Sequence, residues 1–325
     1  MALSQSLPDV RSIERWGLPN VFYENLSDFL SVPSMETGIH TICIRESLID
    51  LYIKRRPGRP LVIFLHGNAP TRIGYKLPVF WGVGIAKSLD ASLLAICDPS
   101  LYLDDSLQLS WYAGSLKLNV RQLLPAIIRK VAEVFESTGI IFCGGSGGGY
   151  ASLYYSLHFP KSISVVWNPQ TNILAYNPVA VSHFSEICFG IVSKPTETKR
   201  LEDFISCNLA PLYNEMSNNN QVIYLQNNTD WHVEAHMRPF FMSVGADVTG
   251  IVKGASLNQR FCRNFWSFMQ NWGDGHIAPP QPFLVNLLQE VVSTREEKLR
   301  EMFNDQRFGS VIQNAYGLQA AQSRV

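Results

Sequence analysis

The chain lacks a net charge. Its 325 residues carry 27 lysines and arginines against 27 aspartates and glutamates. No bulk field therefore recruits nucleic acid or an anionic membrane, and no nucleic-acid partner is expected. It lacks any apolar run near the roughly 18 residues of a membrane span. Its opening stretch, MALSQSLPDVRSIERWG, holds no apolar core of a secretion signal. Cysteine is sparse, and no two of the six fall at CxxC spacing, which leaves no zinc-ribbon or thioredoxin pattern. Cys43, Cys97 and Cys143 sit in TICIR, LLAICD and IIFCGG, where a thiol behaves as a small hydrophobe. Reduced cysteines imply a cytoplasmic location. Charged residues are 17% of the chain and apolar ones 46%, the balance of an ordinary globule. A chain of this length buries about 75% of its unfolded surface and needs no cross-links.

What is present is an alternation of short apolar runs with helical patterns. Residues 1–38 read as an irregular segment punctuated by Pro8, Pro19 and Pro33. IHTICIRE and LIDLYIK alternate as two strands at a sheet edge. LVIFL (61–65) and SLLAIC (92–97) are continuous apolar runs, as expected of strands buried on both faces, and IIFC (140–143), SISVVW (162–167) and QVIYLQ (221–226) read as further strands. FCRNFWSFMQNW (261–272) reads as the last strand. Helical spacing is found around 78–90, over 117–136 with Pro125 expected to kink it or delay its start, after IIFC, over about 233–243, and over 281–303. The expected class is α/β, a mostly parallel sheet with helices on both faces, in one domain over 39–310 with a tail at 311–325. Residues 168–220 are too long for a plain crossover and are expected to form a cap-like insertion.

Five of the six residues Gly144–Gly149 are glycine, and the sixth is Ser146. A flexible linker would lie between polar segments; this run lies between a buried strand and a helix. GxGxxG fails because Tyr150 holds the last position, and no Lys-Ser/Thr follows for a phosphate loop. The pattern that fits is G-x-S-x-G in a strand–turn–helix context, which presents a serine on a strained turn. Gly144 and Gly148 are expected to be glycine because a Cβ would clash with the neighbouring strand and helix. The N–H of Gly147 becomes a candidate oxyanion donor.

A serine nucleophile needs a base and a second donor. LVIFLHGNAP ends a buried strand in His66-Gly67, which makes the N–H of Asn68 the second donor candidate, with a plain tight turn as the alternative. His276, in the Gly/Pro-rich NWGDGHIAPP, is the candidate base, and Asp230, after QVIYLQ, the candidate acid. The order Ser146, Asp230, His276 matches that chemistry. Asp274 and Asp98 are the rival acids. His232 and His236 fall at i, i+4, but HVEAH is not HExxH, so no metal is expected. No cofactor is implied. Asp104, Asp105, Trp111 and Tyr112, on the segment after SLLAIC, either recognise a polar or sugar-like substrate or pack on the scaffold. His66, Asp98 and Trp231 join Trp111 and Tyr112 as candidate substrate contacts.

Taken together, LVIFLHG, GGSGG, Asp230 and His276 resemble the α/β-hydrolase superfamily over roughly residues 40–303. The resemblance implies a serine hydrolase acting on an ester, thioester or activated amide. The same triad would also serve an acyltransferase with a sugar or amine acceptor, and a non-catalytic scaffold is the third reading. CDPSLYLDDSLQLSWYAGS, VVWNPQTNI and DWH together with DGHIAPP are in addition similar to bacterial hydrolase-like proteins of surface-polysaccharide and glycoprotein modification. A small-molecule or glycan-linked acyl substrate is the expected partner.

Overall fold

The computed structural model describes residues 11–69, 75–192, 200–214, 219–262 and 264–322. Its strands are β1 (Asn20–Tyr23), β2 (Gly38–Ile44), β3 (Ser47–Lys54), β4 (Leu61–Leu65), β5 (Ser92–Ile96), β6 (Ile140–Gly145), β7 (Ile163–Trp167), β8 (Gln221–Asn227), β9 (Leu257–Cys262) and β10 (Phe265–Gln270). They form one sheet in the order β1-β2-β3-β5-β4-β6-β7-β8-β10-β9. The run β5-β4-β6-β7-β8-β10 is parallel throughout. The pairings β2/β3, β3/β5 and β9/β10 are antiparallel.

The continuous apolar runs are the buried parallel strands, because both faces of the sheet are covered. Alternate residues of β4 enter two different cores: Val62 and Phe64 join one, Leu61, Ile63 and Leu65 the other. The helices are α1 (Leu26–Ser31), α2 (Val83–Ala86), α3 (Val120–Val134), α4 (Gly147–Ser156), α5 (Pro178–Phe189), α6 (Ala210–Asn214), α7 (Arg238–Ser243), α8 (Gln281–Ser293), α9 (Glu296–Asn304) and α10 (Phe308–Gln322). α3 covers one face with Val120, Leu124, Ile127, Ile128 and Val131. α8 covers the other with Phe283, Leu284, Leu287, Leu288 and Val291. Both stripes follow the helical repeat. No helix among the described residues is long and apolar enough to cross a membrane.

Several expectations are corrected. The segment before residue 38 is not irregular throughout: β1 pairs in parallel with β2, so the expected edge pair lies one strand inside the edge. The tail begins as α10, which buries Phe308, Ile312 and Ala315. FCRNFWSFMQNW is not one strand: Phe261 and Cys262 end β9, and Phe265–Gln270 form β10, its antiparallel partner. The helix expected over 78–90 is only the single turn α2. α3 starts at Val120, capped by the Asn119 side chain, and runs through Pro125. The pattern over 233–243 begins as a π-turn, Val233–Met237, before α7.

Candidate active site

The candidate residues collect where parallel strands end. Asn68 follows β4, Asp98 follows β5, Ser146 follows β6, Asn168 follows β7, Asp230 follows β8 and His276 follows β10. Open α/β sheets form their ligand crevice outside these carboxyl ends.

Ser146 has φ 54° and ψ −121°, a positive-φ conformation outside the left-handed helical region, between β6 and α4. Holding a non-glycine residue there costs about 1–3 kcal/mol, which the surrounding structure must supply. Trp111 (53°), Tyr112 (53°) and Asn168 (42°) also have positive φ, so strained backbone concentrates around this turn. Close approach explains the glycines. A methyl at Gly144 would run into the Gly148 carbonyl, and one at Gly148 into the Leu65 carbonyl. β4, the turn and α4 could then not meet. Gly67 lies against the same turn, with its would-be Cβ 3.4 Å from Ser146 Cβ. Among the described residues, no acceptor faces the N–H groups of Asn68 or Gly147.

His276 Nδ1 lies 2.6 Å from Asp230 Oδ2; Asp230 is fully buried and the His276 side chain 36% exposed. Of the three rival carboxylates, only Asp230 meets the ring. Asp274 is exposed. Asp98 is buried and accepts from the N–H of Tyr112 at 2.6 Å and of Ser100 at 3.1 Å; burial pushes its carboxyl up. Ser146 and His276 are not joined by a hydrogen bond among the described residues. Ser146 Oγ instead accepts from Gln170 Nε2 at 3.1 Å.

The loop carrying His276 is tied down by the residues just before Asp230. Asn227 Nδ2 donates to the carbonyls of Gly273 (2.8 Å) and Gly275 (2.6 Å). Thr229 Oγ1 donates to Gly273 O at 2.6 Å and accepts from Gly275 N–H at 3.0 Å. Asn168 closes the arrangement. Its Nδ2 donates to Ile277 O, and its Oδ1 accepts from the N–H of Asn227, both at 2.7 Å. The sequence assigns no role to Asn168, Gln170, Asn227 or Thr229 before the fold is known. The polar run QNNT at a buried strand end was the available signal, since buried amides must find partners.

His232 and His236 lie behind this pair. His232 Nδ1 donates to Asn168 O at 2.9 Å, and its ring centroid is 4.3 Å from that of His276 and 4.5 Å from that of His236. His236 Nδ1 accepts from Thr171 N–H at 3.3 Å. Burial pushes the His232 imidazole down to about 4, against the pull of Asp230. Burial, then the neighbouring histidines, push His236 down to about 3. Both are neutral near pH 7. Asp230, His232 and His276 bring ligand atoms within 4.8 Å of one another, but the ring nitrogens nearest Asp230 are already hydrogen-bonded, to Asn168 O and to Asp230 itself.

The candidate substrate contacts divide by burial. His66, Asp98 and Tyr112 form framework: His66 Nε2 accepts from Asp98 N–H at 3.0 Å, and Tyr112 Oη accepts from His66 N–H at 2.9 Å. Trp111 is buried and donates its indole N–H to Gln170 Oε1. These four side chains offer no free face to a ligand. Trp231 is 40% exposed and stacks on Tyr176, with centroids 5.9 Å apart. A cavity of about 280 Å³ beside the turn is lined by Asn68, Ser106, Leu109, Tyr176, Asn177 and His183. One wall is thus the 98–115 segment and the other the start of the insertion. Ser106 Oγ bonds Asp104 and sits 3.0 Å from His183 Nε2; Asp105 is exposed beside it. A larger cleft of about 1110 Å³ opens at the opposite ends of β4, β6 and β7, against Pro60, Gly139 and Ser162. None of the candidate residues lines it.

A mostly parallel sheet, a serine turn after β6 and crossing helices on both faces define an α/β-hydrolase fold, and comparison with solved structures agrees. No protein-family model and no curated protein matches the chain. The capsule O-acetyltransferase of Neisseria meningitidis serogroup A aligns with TM-score 0.51 at 12% identity, over 87% of this chain and 98% of that one. The acylaminoacyl peptidase of Pyrococcus horikoshii aligns with TM-score 0.53 at 12% identity, over 82% of this chain but 42% of that one. A glycosylation-associated protein complex of Streptococcus agalactiae aligns with TM-score 0.49 at 15% identity, over 82% of this chain and 46% of that one. The chain therefore spans less than half of two of these three.

Proposed function

We propose that the protein is a serine acyl-transfer enzyme, with Ser146 as nucleophile, His276 as base and Asp230 as the residue that orients the base. The observation that carries the reading is the buried Asp230 carboxylate 2.6 Å from His276 Nδ1, at the crevice where Ser146 stands on its strained turn. With Nδ1 donating to Asp230, Nε2 is the imidazole's free lone pair. It takes the Ser146 proton as Oγ bonds to the substrate carbonyl carbon. The carbonyl oxygen becomes an oxyanion facing the N–H groups of Asn68 and Gly147. The imidazolium then protonates the leaving alcohol, thiol or amine as its bond to carbon breaks, which leaves an acyl-serine. Water, deprotonated by His276, releases the acid and restores the serine. Asp230 stabilises the imidazolium in both halves. The serine–histidine hydrogen bond is one that commonly closes only with substrate in place.

Transfer to a hydroxyl acceptor in place of water is the second reading. What favours it is the cavity beside Asn68, whose Ser106, Asn177 and His183 offer polar groups to a second substrate. The near end-to-end overlap with the capsule O-acetyltransferase supports it as well. A glycan-linked or small-molecule acyl substrate, the capping role of residues 168–220 and the cytoplasmic setting belong to this proposal.

The test is labelling with a fluorophosphonate probe. Wild type is expected to label, and Ser146→Ala and His276→Ala are not; a folded wild type that stays unlabelled sinks the reading. Acetyl-donor turnover with and without a sugar acceptor separates hydrolysis from transfer.

A further inference from the structure

We propose that Gln170 sets the direction of the serine proton. Its side-chain amide occupies one lone pair of Ser146 Oγ and so leaves the hydroxyl hydrogen free for the base. The inference rests on Ser146 being the nucleophile.

Gln170 is fully buried, directly after β7, and grips Ser146 twice. Its backbone N–H donates to the Ser146 carbonyl at 3.0 Å, and its Nε2–H donates to Ser146 Oγ at 3.1 Å. The amide cannot be read the other way round. The Trp111 indole N–H is a donor only, and it meets Gln170 at Oε1. A flipped amide would set N–H against N–H there. Trp111 is itself locked in a positive-φ conformation and is 1% exposed. The chain Trp111 Nε1–H to Gln170 Oε1, then Gln170 Nε2–H to Ser146 Oγ, therefore has one polarity, and it ends on the candidate nucleophile.

Two consequences follow from that polarity. An amide nitrogen has no lone pair to accept a proton, so the serine hydroxyl cannot donate back along this bond and its hydrogen must turn to another acceptor. That acceptor is the role given to His276 Nε2. To the extent that the proton departs ahead of the new Oγ–carbon bond, Oγ carries part of the charge before it passes to the carbonyl oxygen, and the bond from Gln170 is then charge-assisted and stronger. The interaction thus grows on the way to the transition state, which is the condition for it to raise the rate rather than only the affinity.

The test uses the full chain, the fluorophosphonate probe and the second-order labelling rate across pH, with thermal unfolding as the check on folding. In labelling, the Oγ–P bond forms, the P–F bond breaks, fluoride leaves and the base takes the proton. Gln170→Met keeps the volume and loses both bonds; the expected rate loss is about 10- to 100-fold, the worth of one hydrogen bond to a charged group. Gln170→Glu keeps an acceptor for Trp111; above the pH at which its carboxyl ionises it has no hydrogen for Ser146, and there the loss is expected to be at least as large, with recovery at lower pH where the protonated acid can donate. A residue that only fills space would give no such pH-dependent difference from wild type. Trp111→Phe frees the amide to flip and is expected to give a smaller loss. Folded Gln170→Glu and Trp111→Phe proteins that label within twofold of wild type at every pH overturn the inference, even where Gln170→Met fails to fold. An unlabelled wild type overturns the nucleophile reading, and this inference with it.

Discussion

Asn168 Nδ2 and the Ile277 carbonyl are 2.7 Å apart across 109 positions. This bond fastens the loop that carries His276 to the end of β7, while the Asn168 side-chain oxygen holds the end of β8 through Asn227 N–H. Asn168→Ala removes both ties and leaves buried groups unpaired, at about 1–3 kcal/mol each. We expect a lower melting temperature and at least a tenfold fall in labelling rate, on the order of one such bond. A folded variant with wild-type rate would show that the loop needs no such fastening.

Asp230→Asn keeps the shape and loses the charge. An amide beside Nδ1 can hold the ring in the wrong tautomer, a change that costs about 10⁴ in rate where a serine–histidine–aspartate set operates. Circular dichroism should remain native. Near-normal activity would move the orienting role away from Asp230.

His232 and His236 give the stability a pH dependence with a definite sign. Their folded values, lowered to about 4 and about 3, lie below the roughly 6.5 of an unfolded histidine. Above that value both states are neutral and the histidines contribute no slope. As pH falls below it, the unfolded chain binds protons that the folded one refuses, so stability drops until the folded values are reached. The slope approaches about 1.4 kcal/mol per pH unit for each histidine. Urea midpoints between pH 7 and 4 should fall accordingly, and His236→Gln should flatten the curve. An unchanged slope in that variant would mean that His236 is not held neutral.

Gly148→Ala is expected to prevent native folding or to cost more than about 3 kcal/mol, at the upper end of overpacking. The added methyl meets the Leu65 carbonyl and the His66 backbone, and backbone cannot turn aside as a side chain would. Soluble yield and melting temperature measure it; a variant as stable as wild type would contradict the described approach of β4 to α4.

Trp231→Ala tests the exposed aromatic face. Trp231 is 40% exposed, so a stability change within about 0.5 kcal/mol is expected. If the Tyr176–Trp231 stack borders the substrate, KM should rise with kcat nearly unchanged. Unaltered KM for every acyl donor tested would make the stack scaffold only.

Much of the fold was legible because local chemistry fixed it. LVIFL is apolar at every position, and only a strand covered on both faces needs that. GGSGG between such a strand and a helix can be little other than a crowded turn. The polar positions were harder. Trp111 and Tyr112 read equally well as recognition or packing, and burial decided for packing. Nothing in the sequence set Asn168 and Gln170 apart, because an amide has the same signature whether it faces water or is buried among hydrogen-bond partners.

Local pattern alone marks the strand cores, the crowded serine turn and the order of the candidate serine, carboxylate and histidine. Periodicity, glycine sterics and chain order are properties of neighbours along the chain. The folded arrangement adds which carboxylate meets His276, which histidines are buried behind it, and that a glutamine reaches Ser146. Those outcomes depend on which side chains at the ends of β6, β7, β8 and β10 come within 3 Å or so once the strands align, and residues 24 to 109 positions apart carry no local mark of that meeting.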